Sequence, residues 1–201
     1  MATHILNRLS PERVFITKGI VDHLDHSADE QFVGGKLGVD ATEDEVEEGV
    51  EELLLDEVLY EKLHKIERHI VALKQYFTHT KNPICVLQVE KTESMTTLMQ
   101  KLEPFYKHIK VLVIVDKANN EIDNPYMLIW RVTNNIDASR DVRLKPFIML
   151  DATNKSDLDG FKREWPGDTF CTKSVLESLQ ERGVIEIDEA FVKKFGLLPF
   201  E

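Results

Sequence analysis

An α/β fold, with a layered and largely parallel sheet flanked by helices, a long amphipathic helix and a helical carboxyl-terminal tail, follows from two features of this 201-residue sequence. The first is a set of short runs rich in β-branched residues: Val14-Phe15-Ile16, Ile84-Cys85-Val86-Leu87-Gln88-Val89 and Val111-Leu112-Val113-Ile114-Val115, with Phe147 to Leu150 as a weaker fourth. Continuous apolar character of this kind marks strands covered on both faces. The second is the helical patterning between the runs, because strand alternating with helix is what a sheet wound by crossover helices requires.

Each helix has its own signal. The longest extends from about Asp44 to Phe77, within a helical segment spanning 44–80, where Leu59, Leu63, Ile66, Ile70, Leu73 and Phe77 recur at alternating spacings of four and three. That spacing places them in one stripe. Acidic residues crowd its front (Glu43, Asp44, Glu45, Glu47, Glu48, Glu51, Glu52) and Lys62, Lys65, Arg68 and Lys74 follow, in keeping with the helix macrodipole. One helix, or two with a break near Gly49 or Asp56, is expected. The stripe either packs on the sheet or pairs with its copy in another subunit. Asn82-Pro83 marks a turn into the second strand, since a residue before proline is driven out of helical geometry. A shorter helix is expected from Ser94 to about Tyr106, capped by Thr92 or Ser94. Asn124-Pro125 opens another, with Met127, Leu128 and Trp130 to Val132 on its apolar side. The segment from Lys173 to Phe195 reads as one or two helices split at Gly183.

With 36 acidic against 25 basic residues the net charge is −11, which repels nucleic-acid backbones and anionic membrane surfaces. Nucleic acid is therefore excluded as a natural partner class. No apolar run approaches the roughly 20 residues needed to span a bilayer, and the amino terminus lacks the features of a secretion signal, so a soluble, cytoplasmic protein is expected. Cys85 lies in an apolar run and Cys171 near a helix start, which makes both read as buried or incidental thiols.

The chain reads as a single α/β region, 1–201, with a partial internal repeat between 1–45 and 111–170. Val39-Asp40-Ala41-Thr42 recurs as Leu150-Asp151-Ala152-Thr153, and the stretch from Ile5 to Val14 is similar to that from Val132 to Val142. Nothing before Ile5 matches the strand Val111 to Val115. A chain cut from something longer is the corresponding expectation. The repeated Asp and Thr side chains are expected to satisfy nearby backbone groups at turns.

Constellations that could carry chemistry are sparse. Asp22-His23-Leu24-Asp25-His26 sets two imidazoles three apart among carboxylates, a spacing open to a divalent metal, but no third histidine or cysteine follows at ligand spacing. A hydrogen-bonded loop is the preferred reading. Gly34-Gly35-Lys36-Leu37-Gly38 invites a phosphate-loop reading but lacks the earlier glycine and the upstream strand, so a tight turn with a solvated Lys36 is preferred. Asp116 closes the strongest strand, where open α/β sheets place ligand-binding residues, yet without a glycine fingerprint it reads as a loop cap. Asp137-Ala138-Ser139-Arg140-Asp141 is expected to form an ion-paired turn, with Arg140 equally able to meet another subunit. Arg163-Glu164-Trp165-Pro166-Gly167-Asp168 is expected to anchor the tail by its aromatic ring. No catalytic residue can be nominated from these patterns.

A family resemblance rests on the same motifs. Val111 to Asp116, Glu121-Ile122-Asp123-Asn124, Leu128-Ile129-Trp130-Arg131-Val132-Thr133 and Ile136-Asp137-Ala138-Ser139-Arg140-Asp141 resemble, in this order, the carboxyl-terminal domain of the UbiD-like decarboxylases, of the 3-octaprenyl-4-hydroxybenzoate carboxy-lyase or menaquinone-biosynthesis type. Gly19 to His26, Gly34 to Thr42, and Leu150 to Lys155 before Arg163 to Pro166 extend the likeness to most of the chain outside Asp44 to Phe77. The order departs from the family's usual one, because one Asp-Ala-Thr copy precedes the strand and tryptophan helix. The family's catalytic arginine and two glutamates, with its cofactor and metal ligands, have no match here. The resemblance implies a parent carboxy-lyase using prenylated flavin mononucleotide with manganese and potassium on aromatic or α,β-unsaturated acids such as quinone precursors. It further implies that this chain, without cofactor or activity of its own, supplies assembly contacts in a homo-oligomer and a wall facing a missing amino-terminal catalytic domain. A non-catalytic oligomerisation module and an independent enzyme with a phosphate site at Gly34 to Lys36 are the alternatives.

Overall fold

A computed structural model describes residues 1–117 and 122–195. Its centre is a five-stranded mixed sheet in the order β3-β4-β5-β7-β6, built from β3 (Ile70–Tyr76), β4 (Ile84–Val89), β5 (Val111–Asp116), β6 (Val142–Arg143) and β7 (Ile148–Asp151). The three central strands run parallel, and the edge strands β3 and β6 pair antiparallel with their neighbours. A separate ribbon, β1 (Val14–Ile20) with β2 (Val33–Val39), pairs antiparallel from Val14↔Val39 to Ile20↔Val33. The helices are α1 (Ala2–Leu6), α2 (Asp56–Ile66), α3 (Met95–Leu102), α4 (Pro125–Asn135), the single turn α5 (Ala138–Asp141), α6 (Lys173–Glu181) and α7 (Glu189–Lys194).

Strand alternation sorts the sheet into two layers. Cys85, Leu87 and Val89 of β4 and Leu112 and Ile114 of β5 meet α2 and α3 through Leu59, Leu63, Leu98 and Leu102. Val86, Val113 and Val115 point to the other face and meet Leu128 of α4. Leu59 and Leu63 are fully buried, and each such side chain contributes about 1.5–3 kcal/mol of transfer free energy. The caps follow the sequence: Ser94 accepts from the Thr96 amide at the start of α3, and Asn124 accepts from Met127 at the start of α4. Asn82 is buried and donates to the carbonyls of Leu6 and Leu9, which ties α1 to the turn before β4.

Three expectations are corrected. The long helix over 44–77 does not exist. Only Asp56–Ile66 is helical, and Ile70–Tyr76 is an edge strand. A helix through the acidic front would have set Glu43 against Glu47, Asp44 against Glu48, Glu47 against Glu51 and Glu48 against Glu52, each a like-charge pair one turn apart. The segment instead is irregular, with Val46 N donating to Asn7 O, Val50 N to Lys81 O and Glu51 N to Lys107 O. A Cβ on Gly49 would lie 2.4 Å from Lys81 O, so the glycine permits that crossing. Beyond the helix, Leu73 and Gln75 turn to one face and Ala72 and Tyr76 to the other, the period of a strand, and a bulge between Ile70 and Ala72 brings Ile70 onto the Leu73 face. Second, the run at Val14 belongs to the exposed ribbon and not to the buried parallel sheet: Phe15 is 55% exposed and Ile20 81%. Third, Gly34-Gly35-Lys36 is part of strand β2 and makes no tight turn. The carboxyl-terminal segment does divide around Gly183, whose φ is 66°, into α6 and α7.

Candidate functional site

At the carboxyl edge of the parallel strands, a cluster of charged side chains joins β5, β7, α5 and the loops after them. The fully buried Lys155 donates to the carbonyls of Asp151 (3.0 Å) and Thr153 (2.8 Å), and its Nζ lies 3.0 Å from Asp151 Oδ2 and 3.4 Å from Asp141 Oδ1. Asp141 also receives Arg140 through Nε (2.8 Å) and Nη2 (2.7 Å), and the Asp137 amide (2.8 Å). Arg140 pairs in addition with Asp29 and lies over the Phe161 ring at 5.2 Å. Lys91 donates to Thr153 Oγ1, Asn154 O and Asp159 Oδ2 within 2.6–2.8 Å. Asp116, whose carboxylate accepts the Asn154 amide at 2.6 Å, has its pKa raised by burial, with the Asn154 amide and Lys91 only partly offsetting it.

Asp137 joins this cluster to the ribbon. Its Oδ1 accepts from the Ser139 amide and hydroxyl, and its Oδ2 accepts from the Gly35 amide at 3.0 Å. Burial alone would raise this carboxyl's pKa, but the Ser139 and Gly35 donors outweigh it and hold the group below the usual carboxylate range. A Cβ on Gly35 would lie 2.2 Å from Ser139 N, so only glycine allows β2 to approach α5 this closely. The glycine-rich stretch therefore does present a backbone N–H to an anion, but the anion is the protein's own Asp137.

Two clefts flank the loop from Asp22 to His26. One of about 470 Å³ is lined by Asp22, His26, Lys36, Thr133 and Asn134 among others. Its neighbour, about 480 Å³, is lined by His23, His26, Trp130, Arg131, Trp165 and Asp168 among others. His26 borders both and meets Trp165 edge-on, with ring centroids 5.0 Å apart; Trp165 in turn packs on Phe161. Burial, with Arg163 and Arg131 nearby, lowers the His26 pKa despite Asp25, so the ring is held neutral and can donate and accept hydrogen bonds. Arg131 is buried and grips Asp168 with both Nη atoms, the second at 2.8 Å, while its Nε has no hydrogen-bond partner among the described residues. The second cleft is thus walled by Trp130 and Trp165, with Arg131 and Asp168 balancing each other's charge, whereas the first carries Asp22 and Asp25 against Lys36.

The candidate residues from the sequence fall into three places. Asp22, His26 and Lys36 share one cleft, with Trp130 across His26 in the other. Asp116, Arg140, Asp141, Asp151 and Thr153 share the ionic cluster. Asp40 and Thr42 lie at the far end of the ribbon, exposed, where the Thr42 amide (2.9 Å) and hydroxyl (2.7 Å) both donate to Asp40 Oδ1. Thr153 makes the same pair of bonds to Asp151 Oδ1 at 3.0 and 2.6 Å. The stripe proposed for an interface is divided: Leu59, Leu63, Ile70 and Leu73 enter one intramolecular core, whereas Ile66 and Phe77 are 46% and 38% exposed. Lys91 and the pairing of Arg131 with Asp168 went unrecognised in the sequence, since the partners lie 68 and 37 residues away and no spacing announces them. Glu121 lies outside the described residues. Among those residues no three His, Cys, Asp or Glu side chains are placed to hold a metal ion, and no helix is long and apolar enough to cross a membrane.

Comparison with known proteins gives three findings. The family model for the 3-octaprenyl-4-hydroxybenzoate carboxy-lyase C-terminal domain matches residues 52–175. Uncharacterized proteins from Helicobacter pylori strains J99 and 26695 are each 42% identical over 196 residues, which is 96% of this chain and 32% of theirs. The chain thus spans about a third of the length of the curated relatives it matches. Similar solved structures include an evolved dimeric form of the UbiD-class enzyme HmfF from Pelotomaculum thermopropionicum in complex with prFMN, with a TM-score of 0.45 and 19% identity over 54% of this chain and 26% of that one. The closed form of Sedimentibacter hydroxybenzoicus vanillic acid decarboxylase has a TM-score of 0.46 and 19% identity over 64% of this chain and 31% of that one.

Proposed function

Because this chain belongs to the family of 3-octaprenyl-4-hydroxybenzoate carboxy-lyase C-terminal domains, we propose that it is the non-catalytic carboxyl-terminal part of a longer aromatic-acid decarboxylase, serving assembly and walling an active site carried elsewhere. One observation supports a structural role above all: buried cations of the cluster and of the neighbouring cleft are spent on the protein's own carboxylates. Lys155 serves Asp141 and Asp151, Lys91 serves Asp159, and Arg131 serves Asp168. A general acid or base needs a free edge toward a substrate, and of the groups at the clefts only His26 combines a shifted pKa with a place on both walls.

In the parent, prenylated flavin, manganese and potassium would belong to the remaining polypeptide, with a quinone precursor as substrate and a homo-oligomer as the working assembly. The residues present here do not fit those groups. No metal donor set exists among the described residues, and the glycine N–H that would cradle a phosphate is committed to Asp137. What this chain's own residues do is tie the segment after Trp165 to α4 through Arg131–Asp168 and present His26, Trp130 and Asn134 along one wall.

The test is to assay the Helicobacter pylori relative, loaded with prenylated flavin and metal under anaerobic conditions, for carbon dioxide release from a panel of aromatic acids, beside this chain treated identically. Release by the longer protein and none by this chain is expected. Release by this chain, or none by the longer protein on any acid, would overturn the reading.

A further inference from the structure

The two Asp-Ala-Thr segments share more than a sequence. Before each comes a helix end, then a short helical turn (Pro11–Arg13 behind Ser10, and α5 behind Asp137, which caps it), then a strand that begins at Val14 or Val142. Each of those valines pairs antiparallel with the residue directly before the Asp-Ala-Thr: Val14 with Val39, and Val142 with Leu150. The β1–β2 ribbon is therefore built like the β6–β7 end of the sheet. One strand is lacking. On the side of β7 away from β6 lies β5, parallel; the carbonyls of Lys110, just before it, and of its Ile114 accept from the amides of Ile148 (3.1 Å) and Ala152 (2.8 Å). On the side of β2 away from β1 the two-stranded sheet ends.

Alternation tells which groups that edge exposes. Asp40 N donates to Arg13 O on the β1 side, whereas Gly35 N donates outward to Asp137. In an antiparallel ladder the amides of Leu37 and Val39 then point outward as Gly35 does, with Ala41 continuing the series. These are the positional equivalents of Ile148, Leu150 and Ala152, counted from the shared aspartate. The Ala41 amide has no backbone acceptor among the described residues, Leu37 is 40% exposed and Val39 36%, whereas Ile148 is 5% exposed. A bare two-stranded ribbon is marginal in water, and an open apolar edge invites pairing.

We infer that the outer edge of β2 receives a parallel strand from the part of the longer polypeptide that lies outside these 201 residues, completing a second sheet of the β5-β7-β6 kind. The incoming strand is of β5 character, a continuous β-branched run with carbonyls set to accept from Leu37, Val39 and Ala41. Chain to supply it exists, since the matched region is 32% of the Helicobacter pylori relatives. The inference rests on the reading of this chain as one part of such a protein, though not on that protein's chemistry.

Residue-resolved hydrogen exchange on the Helicobacter pylori relative and on this chain tests it, with the β5 amides as the control for folding. At the positions matching Leu37, Val39 and Ala41, exchange in the longer protein should be slower than in this chain by on the order of tenfold or more. Equally fast exchange in both would overturn the inference, even if the longer protein proves to be a decarboxylase. Protection in this chain alone that rises with its concentration would assign the edge to a second copy and would overturn it as well. Protection in a longer protein that releases no carbon dioxide would sustain the strand and sink the proposed function instead.

Discussion

The ribbon and the sheet edge carry the same short motif in unequal surroundings. At Asp151 the motif's carboxylate lies against the fully buried Lys155, beside a strand paired on both sides; at Asp40 it lies in solvent with only Thr42 and, further off, Arg13. Asp-x-Thr thus specifies the turn wherever it occurs, through bonds that span two residues. Whether that turn matters to the whole molecule depends on what is packed over it.

The sharpest break of this comparison is the aspartate itself. Asp151→Ala removes a partner from a buried lysine, and a loss of about 3–5 kcal/mol is expected, read from the midpoint of urea unfolding. Asp40→Ala should shift that midpoint barely at all. Equal losses at the two sites would dissolve the distinction. Next in size is the seam between the regions: Gly35→Ala drives a Cβ into the Ser139 amide and should cost about 1–3 kcal/mol as an overpacked contact, with faster proteolysis of the 20–33 loop. Gly38→Ala, with open space around its Cβ, is the matched control and should stay within about 0.5 kcal/mol.

A smaller effect concerns the loop that rests on both regions. The folded state lowers the His26 pKa below 6.5, so as pH falls through 6.5 the unfolded chain takes up the proton first. The stability contributed by neutral His26 is complete above 6.5 and is lost progressively as pH falls toward the folded pKa. Melting temperature followed from pH 7.5 to 5 should therefore decline more steeply in the wild type than in His26→Gln; parallel curves would remove His26 from the account. The smallest effect expected is Ile66→Asp, on the exposed side of α2, which should leave the fold and its melting temperature nearly unchanged, whereas Ile70→Asp, at a fully buried position, should unfold the chain. A monomerised but folded Ile70→Asp would restore the stripe as a subunit seam.

Much of the candidate site was legible because its parts are local. Asp22, His26 and Lys36 were singled out by residue type and do share a cleft, and the Asp-Ala-Thr turns were read from side chains that bond two residues ahead. The Arg131–Asp168 and Lys91–Asp159 pairs were not, because each joins residues 37 and 68 apart along the chain, and a charge carries no mark of its distant partner.

Strands β4 and β5, the caps of α3 and α4, and the division at Gly183 were written in the sequence by itself, since continuous apolar runs, side-chain caps and a left-handed glycine act over a turn or less. The fate of 44–77 and of Gly34-Gly35 was not. Leu59, Leu63, Ile70 and Leu73 satisfy a helical stripe and a helix followed by a strand equally well; what chose was the open edge of β4, which offers Ile70–Tyr76 a ladder of backbone bonds and one core for all four side chains. Gly35 became an interface because Asp137, 102 residues later, occupies the space a side chain would fill. Short-range bonds are decided by the residues that make them, while strand pairing and close backbone approach are decided only once distant segments have met.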